Sequence, residues 1–128
     1  MSSFRAPQVI LFSDDLPRAV EFYSRLGFTE TFRVPTAGEP IHVDLVLDGY
    51  KIGIASAAST RDDHGLDPIP EGQRAAVILW TDDTASAFGD LVASGAPALA
   101  APHQWLDRLL IAWIADPDGN PVQIVQSL

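Results

Sequence analysis

A histidine and an aspartate two positions apart are the residues most able to move a proton in this chain. The segment Ile41 to Leu47 (IHVDLVL) alternates apolar and polar residues, which predicts a β-strand. His42 and Asp44 therefore share one face of that strand. If they face a cavity they form a candidate acid–base pair, and if they face water they are ordinary surface residues. The alternation alone does not decide between the two.

Three tryptophans offer flat surfaces on which a planar ligand could stack. They are Trp80, Trp105 and Trp113, and packing in a core or an interface is the alternative role of each. Trp105 is the strongest candidate, because we predict a loop from Pro102 to Asp107 that would lie opposite a lid. Cysteine is absent, which excludes a thiolate nucleophile and disulfides. The three histidines, His42, His64 and His103, lack a metal-binding spacing.

The charge balance limits the possible partners. Eight basic residues against 17 acidic ones give a net charge of −9, which repels nucleic acid and anionic lipid and attracts cations. No apolar stretch is long enough to span a membrane, and the beginning (MSSFRAPQVI) lacks the pattern of a secretory signal. The absence of cysteine fits a reducing cytoplasm, so we expect a cytoplasmic protein. The alternative role of the negative charge is only to keep the protein soluble.

The elements that would position these residues come twice along the chain. A strand, an Asp-Asp pair, an amphipathic helix and a glycine run from Gln8 to Gly27, and the same order runs from Ala76 to Gly95. Further strands follow in each half, at 29–34, 41–47 and 50–56 and then at 98–101, 108–115 and 121–126. The closing hairpins match as well, DGYKIGI against DGNPVQI. Such a spacing indicates a duplicated supersecondary unit.

This duplication predicts an α+β fold of two βαβββ modules within one domain. We expect the first module at residues 1–58, a linker or lid at 59–74 and the second module at 75–128. One face of each sheet would be covered by its helix, with Val9, Leu11, Val77 and Leu79 underneath. The other face would be left to a partner or a ligand.

Two segments resemble a known family. The segments DLPRAVEFYSRLGF (Asp15 to Phe28) and ADPDGNPVQIVQ (Ala115 to Gln126) resemble the vicinal oxygen chelate superfamily, also called the glyoxalase/bleomycin-resistance/extradiol-dioxygenase superfamily. The resemblance implies cupped mixed sheets around a cavity and a homodimer. In metal-dependent members each module supplies two ligands, and the matching positions here are Gln8, Gly53, Ala76 and Gln123.

Those four positions are poor metal ligands. Gly53 and Ala76 carry no donor atom, and two neutral amides do not offset the desolvation of a divalent ion. We therefore predict no metal and no other cofactor. The resemblance then points to the drug-sequestering, bleomycin-resistance-like branch, with a mainly apolar cup. The predicted ligand-binding residues are Gln8, Ile10, Phe12, His42, Asp44, Ile78, Trp80, Trp105, Trp113 and Gln123.

Other functions stay open at this point. The main alternative is a superfamily enzyme, such as a lyase, an isomerase or a dioxygenase-like protein, that uses non-standard catalytic residues such as His42, Asp44 or His103. A metal enzyme with an unrecognised site and a structural dimer without a ligand are the others. The sequence does not identify the ligand, which could be aromatic or cationic.

Overall fold

The computed structural model describes residues 5–68 and 75–128. The chain divides after Pro68 into two compact units. That boundary lies inside the predicted linker at 59–74, of which residues 69–74 lie outside the described part of the chain. The grouping of both units into one domain stays a prediction. In the described residues no helix is long and apolar enough to cross a membrane.

The first unit is a four-stranded mixed sheet with two helices. Its elements are β1 (Val9–Ser13), α1 (Leu16–Arg25), β2 (Thr29–Val34), β3 (His42–Leu47), β4 (Tyr50–Ser56) and α2 (Ala57–His64). The strand order is β1-β4-β3-β2, with β1 parallel to β4 and the other pairs antiparallel.

Local sequence signals explain the first helix. The side chain of Asp15 accepts a hydrogen bond from the backbone N–H of Arg18 at 3.2 Å, and Pro17 lies in the first turn, where its missing N–H costs nothing. Gly27 follows the helix with a φ of +108°, which glycine adopts readily. On the inner side Tyr23 is fully buried, and its ring meets that of Phe28 edge-on at 5.6 Å between centroids.

The second unit repeats this plan. Its elements are β5 (Val77–Trp80), α3 (Thr84–Ala93), β6 (Ala98–Trp105), β7 (Leu109–Ala115) and β8 (Pro121–Ser127). The order β5-β8-β7-β6 has the same pattern as the first sheet, with β5 parallel to β8. Asp83 caps α3 by accepting from the N–H of Ser86 at 3.0 Å. The predicted α+β fold of two βαβββ modules is confirmed.

One helix was not predicted. The sequence reading assigned no secondary structure to residues 57–68, yet Ala57–His64 form α2. Ser56 caps its first turn by accepting from the N–H of Ser59 at 3.2 Å, and Gly65 ends it with a φ of +67°. Only Ala57 and Thr60 of this helix are buried, and both are small, so the sequence shows little apolar periodicity. A role for this segment as a linker or lid stays a prediction.

The predicted loop from Pro102 to Asp107 was also wrong. Strand β6 continues through Pro102 and His103 to Trp105, and the turn is confined to the next residues. A proline is tolerated there because β6 is the last strand of its sheet, where its missing N–H breaks no inner ladder. Leu106 and Asp107 have φ values of +57° and +55°, which a tight hairpin turn requires.

Candidate functional site

The first sheet has one covered face and one face away from its helix. Leu11 is buried on the covered face as predicted, and so are three apolar residues of the neighbouring strands, Val43, Leu45 and Ile54. Val9 was predicted to join them but is 59% exposed, because it begins an edge strand. The opposite face carries Ile10 and Phe12, which are half-buried, and the polar residues of β3.

Three polar side chains of the opposite face bond to one another. The Nε2 of Gln8 donates to Oδ1 of Asp44 at 2.7 Å, and Nε2 of His42 lies 2.7 Å from the same oxygen. These three residues are called the polar cluster below. The sequence left the orientation of His42 and Asp44 open, and the structure turns both toward the position of Gln8. The side chains are 27% and 13% exposed, so neither points freely into water.

A glycine makes room for the polar cluster. Across the sheet Gly53 pairs with Ile10 on one side and with Asp44 on the other. A Cβ at residue 53 would lie 2.5 Å from Cδ1 of Ile10 and 2.7 Å from Nε2 of Gln8. It would also lie 3.0 Å from Cε1 of His42. The space of a side chain at this position is therefore already filled by its neighbours.

The surroundings of Asp44 favour its ionised form. Burial alone would raise the pKa of the carboxyl, but the hydrogen bonds from His42 and Gln8 and the attraction of His42 and Lys51 outweigh it. The pKa of Asp44 therefore lies below its usual range. An ionised carboxylate only accepts hydrogen bonds, so His42 donates through Nε2–H. Nδ1 of the neutral ring then carries the lone pair.

An aromatic residue that the sequence did not single out stands beside the polar cluster. Phe32 pairs with Asp44 across β2 and β3, and its ring centroid lies 6.2 Å from that of His42. Phe32 is 52% exposed, so its side chain offers apolar surface beside the polar cluster. Its place follows from a β-bulge between Glu30 and Phe32, which has no sequence signal of its own.

The second unit brings three of its predicted residues into one row. Ile78 pairs with Gln123, and Gln123 pairs with Trp113 across β8 and β7. A cavity of about 350 Å³ lies next to this row, lined by Ala76, Leu99, Ala100, Trp113 and Pro121. Its lining is mostly apolar, as expected for a small-molecule pocket.

The other two tryptophans are separate from that row. Trp80 is 65% exposed and lines a different cavity of about 500 Å³, together with Thr81, Asp82 and Ser127. Trp105 is 54% exposed at the end of β6, where it pairs with Leu109 next to the hairpin turn. The structure therefore gives the three tryptophans different surroundings, and their ligand-binding role stays a prediction.

The family follows from a comparison with known proteins. A family model described as the Glyoxalase/Bleomycin resistance protein/Dioxygenase superfamily matches residues 5–124. The chain belongs to this superfamily. Among curated proteins, none matches the sequence.

Several solved structures are similar to this chain in fold. A glyoxalase/bleomycin resistance protein/dioxygenase from Nocardioides is 21% identical with a TM-score of 0.79, over 100% of this chain and 86% of that one. A lactoylglutathione lyase from Agrobacterium tumefaciens is 21% identical with a TM-score of 0.70, over 95% and 92%. The hypothetical protein SA1046 from S. aureus is 15% identical with a TM-score of 0.81, over 98% and 95%. At identities of 21% or less, these similarities show the fold alone.

The residues at the superfamily's metal positions do not fit a divalent ion. In the first unit, the amide nitrogen of Gln8 faces Asp44, and Gly53 offers no donor atom and no room for one. In the second unit, Ala76 has no donor and leaves only the amide of Gln123. Within residues 5–68 and 75–128, no group of three or more His, Cys, Asp or Glu could hold a metal. A neutral amide alone does not hold a divalent ion.

Proposed function

We propose that this protein binds a small planar molecule without a metal, on the face of the first sheet that carries the polar cluster. Asp44 would accept a hydrogen bond from a cationic or N–H-bearing group of the ligand. The ring of Phe32 would cover the flat part of the ligand. The wider fold would act as the scaffold for this face.

The observation that carries the proposal is the bonding of the Asp44 carboxylate. Both hydrogen bonds, from Gln8 and from His42, go to Oδ1. No described residue hydrogen-bonds to Oδ2. A half-buried, ionised carboxylate whose Oδ2 accepts no hydrogen bond from a described residue is a strong acceptor for a charged or polar ligand group. The two existing bonds fix its direction before a ligand arrives, which lowers the entropy cost of binding.

The apolar surroundings and the overall charge support the same ligand class. Phe32 and Val34 are 52% and 39% exposed on β2, so the site offers apolar surface next to a charge. A planar cation gains from both, through stacking and through the carboxylate. The net charge of −9 adds a long-range attraction for cations.

A thermal-shift screen tests this proposal. Planar antibiotics, aromatic amines and amidines, and small metabolites would be added to the protein in EDTA. A ligand at one hundred times its Kd stabilises the folded state by about 2.7 kcal/mol, which gives a measurable rise in Tm. We expect hits that lose their effect in Asp44→Asn and keep it in Asp62→Asn, which removes an equal charge from an exposed position of α2.

Three outcomes would overturn the proposal. One is the absence of any shift across the screen. The second is a set of hits that stabilise Asp44→Asn as well as the wild type. The third is stabilisation that appears only when a divalent ion replaces EDTA.

Finer aspects of function accompany this proposal. Antibiotic sequestration is one form of metal-free binding, and the superfamily description includes bleomycin resistance proteins.

We also propose a homodimer in the cytoplasm. Several apolar side chains of the second unit are more than half exposed and support an interface between copies: Ile78, Trp80, Leu99, Trp105 and Leu106. Light scattering on the purified protein tests the dimer.

The alternative function is a superfamily enzyme with non-standard catalytic residues. One observation favours it over simple binding, namely the bonding of His42 to Asp44. A carboxylate that holds an imidazole in one orientation is the arrangement by which histidine is prepared to accept a proton. Binding and proton transfer are compatible on the same face.

A further inference from the structure

We propose that Nδ1 of His42 is a general base that removes a proton from a planar molecule resting on Phe32. This inference rests on the proposed function, since a molecule must first occupy that face of the first sheet. It adds an activity, proton abstraction without a metal, and it names the atom that receives the proton.

The bonding of His42 identifies the basic nitrogen. Nε2 lies 2.7 Å from Oδ1 of Asp44, so the Nε2–H is used in that bond. No described residue hydrogen-bonds to Nδ1, which in the neutral ring is the nitrogen with the lone pair. The imidazole is therefore held by one nitrogen, and the other is left to accept a proton.

Asp44 is held in turn by a second donor. Gln8 bonds to the same Oδ1 at 2.7 Å, and Gly53 leaves the space in which Gln8 and His42 come together. This chain of Gln8, Asp44 and His42 fixes the ring, and the carboxylate stabilises the imidazolium that forms. Asp44 is thus a positioning residue, and His42 is the catalytic one.

The position of Phe32 determines the shape of the substrate. Its ring centroid lies 6.2 Å from that of His42, and the two planes meet at 61°. A flat molecule stacked on the exposed ring of Phe32 would lie beside the imidazole of His42. The expected substrate class is a planar molecule with a weakly acidic C–H, and the expected reaction is an isomerisation or elimination started by removal of that proton.

The compound 5-nitrobenzisoxazole is a suitable probe. His42 takes the proton from C3, the electron pair of the C–H bond completes a nitrile, and the N–O bond breaks with its electrons on oxygen. The product is 2-cyano-4-nitrophenolate, and the imidazolium then releases the proton to water. The step needs no oxidant, reductant or metal, and the coloured phenolate gives a direct rate in the presence of EDTA.

We expect saturable release of phenolate that depends on His42. His42→Gln should lower kcat by about 100-fold, the low end of what a positioned base contributes. Asp44→Asn should lower kcat at least tenfold with little change in KM, since the probe carries no cation for Asp44 to bind. His64→Gln, at the exposed end of α2, should leave the rate unchanged. Lys51→Gln should keep most of the rate, which excludes the lysine amine as the base.

A cavity variant keeps the test valid if His42→Gln perturbs the fold. His42→Ala leaves a space of imidazole size, and free imidazole added to the buffer should restore at least a tenth of the wild-type rate. A purely structural role of His42 would give no such rescue in a folded protein. Circular dichroism establishes that the variant is folded.

Two results would overturn the inference in different ways. If the probe raises Tm or competes with a hit from the ligand screen, but phenolate release is the same in His42→Gln, proton abstraction fails and the binding function stands. If the probe neither binds nor reacts, and the screen also gives no Asp44-dependent hit, both proposals fail together.

Discussion

The Nε2 atom of His42 lies 2.7 Å from Oδ1 of Asp44, two residues further along the same strand. This pair joins an imidazole to a carboxylate on one face of the first sheet. Gln8, the residue before β1, completes the group.

The polar cluster predicts a specific pH dependence of stability. Because the pKa of Asp44 is lowered in the folded protein, its ionised form stabilises the fold above the unfolded pKa of about 3.9. That stability is lost as the pH falls through the lower folded pKa. At pH 6 we expect Asp44→Asn to lower the free energy of unfolding by about 1 kcal/mol. Urea unfolding at pH 6 and pH 3 should show the difference shrinking.

Glu30→Gln is the comparison for this measurement. The pKa of Glu30 is also lowered, chiefly by its hydrogen bond with Arg33, but the Glu30 side chain is 35% exposed. Solvent screening should limit the effect to below about 0.5 kcal/mol. A pH-independent effect of Asp44→Asn would contradict the proposed role of its charge.

The close contacts around Gly53 predict the outcome of a one-methyl substitution. In Gly53→Ala the new Cβ would lie 2.5 Å from Cδ1 of Ile10 and 2.7 Å from Nε2 of Gln8, so both side chains must move. We expect a loss of about 1–3 kcal/mol of stability and weaker binding of any ligand that needs Asp44. Thermal unfolding and a ligand titration measure the two effects.

Gly89→Ala is the matched control for Gly53→Ala. Gly89 lies within α3, and a Cβ there would meet no atom within 4 Å. Replacing a helical glycine with alanine should stabilise the protein by about 0.5–1 kcal/mol. If both alanines changed stability in the same direction, crowding around Gly53 would not be the cause.

The DPDGN turn (residues 116–120) tests whether a conspicuous aspartate is structural. Asp116 is 3% exposed, and its carboxylate accepts from the N–H groups of Asp118 and Asn120 and from the Asn120 side chain. Asp116→Ala would leave these donors without their acceptor and should cost about 3 kcal/mol. Ligand affinity and probe turnover, measured on the folded fraction at low temperature, should stay at wild-type values. A loss of turnover without a loss of stability would instead place Asp116 in the chemistry.

Much of the fold was predictable because its local signals are strong. Asp15 and Asp83 cap helices, and Gly27 and Gly95 follow helices with positive φ values, as their spacing indicated. Helix α2 was not predictable from its pattern, because Ala57 and Thr60 give too little apolar periodicity. Helices α1 and α3, with clear caps and apolar spacing, were therefore predictable, and the short helix α2 was not.

The site was harder to predict than the fold because it depends on register. The positions of Gln8, His42 and Asp44 could be assigned, but which face β3 turned inward depended on its pairing with β4. Phe32 lies opposite Asp44 only because of the bulge after Glu30, and a shift of one residue would send its ring to the other face. Pairwise register is a tertiary property, so alternation within one strand does not reveal it.

The most direct test of metal-free binding at Asp44 is an NMR titration of ¹⁵N-labelled protein in EDTA, using the strongest hit of the ligand screen. We predict that the largest amide shift changes fall on Phe32, Asp44 and Gly53, that they saturate with one affinity, and that they vanish in Asp44→Asn. Shift changes confined to the second unit, or changes that appear only after a divalent ion is added, would contradict it.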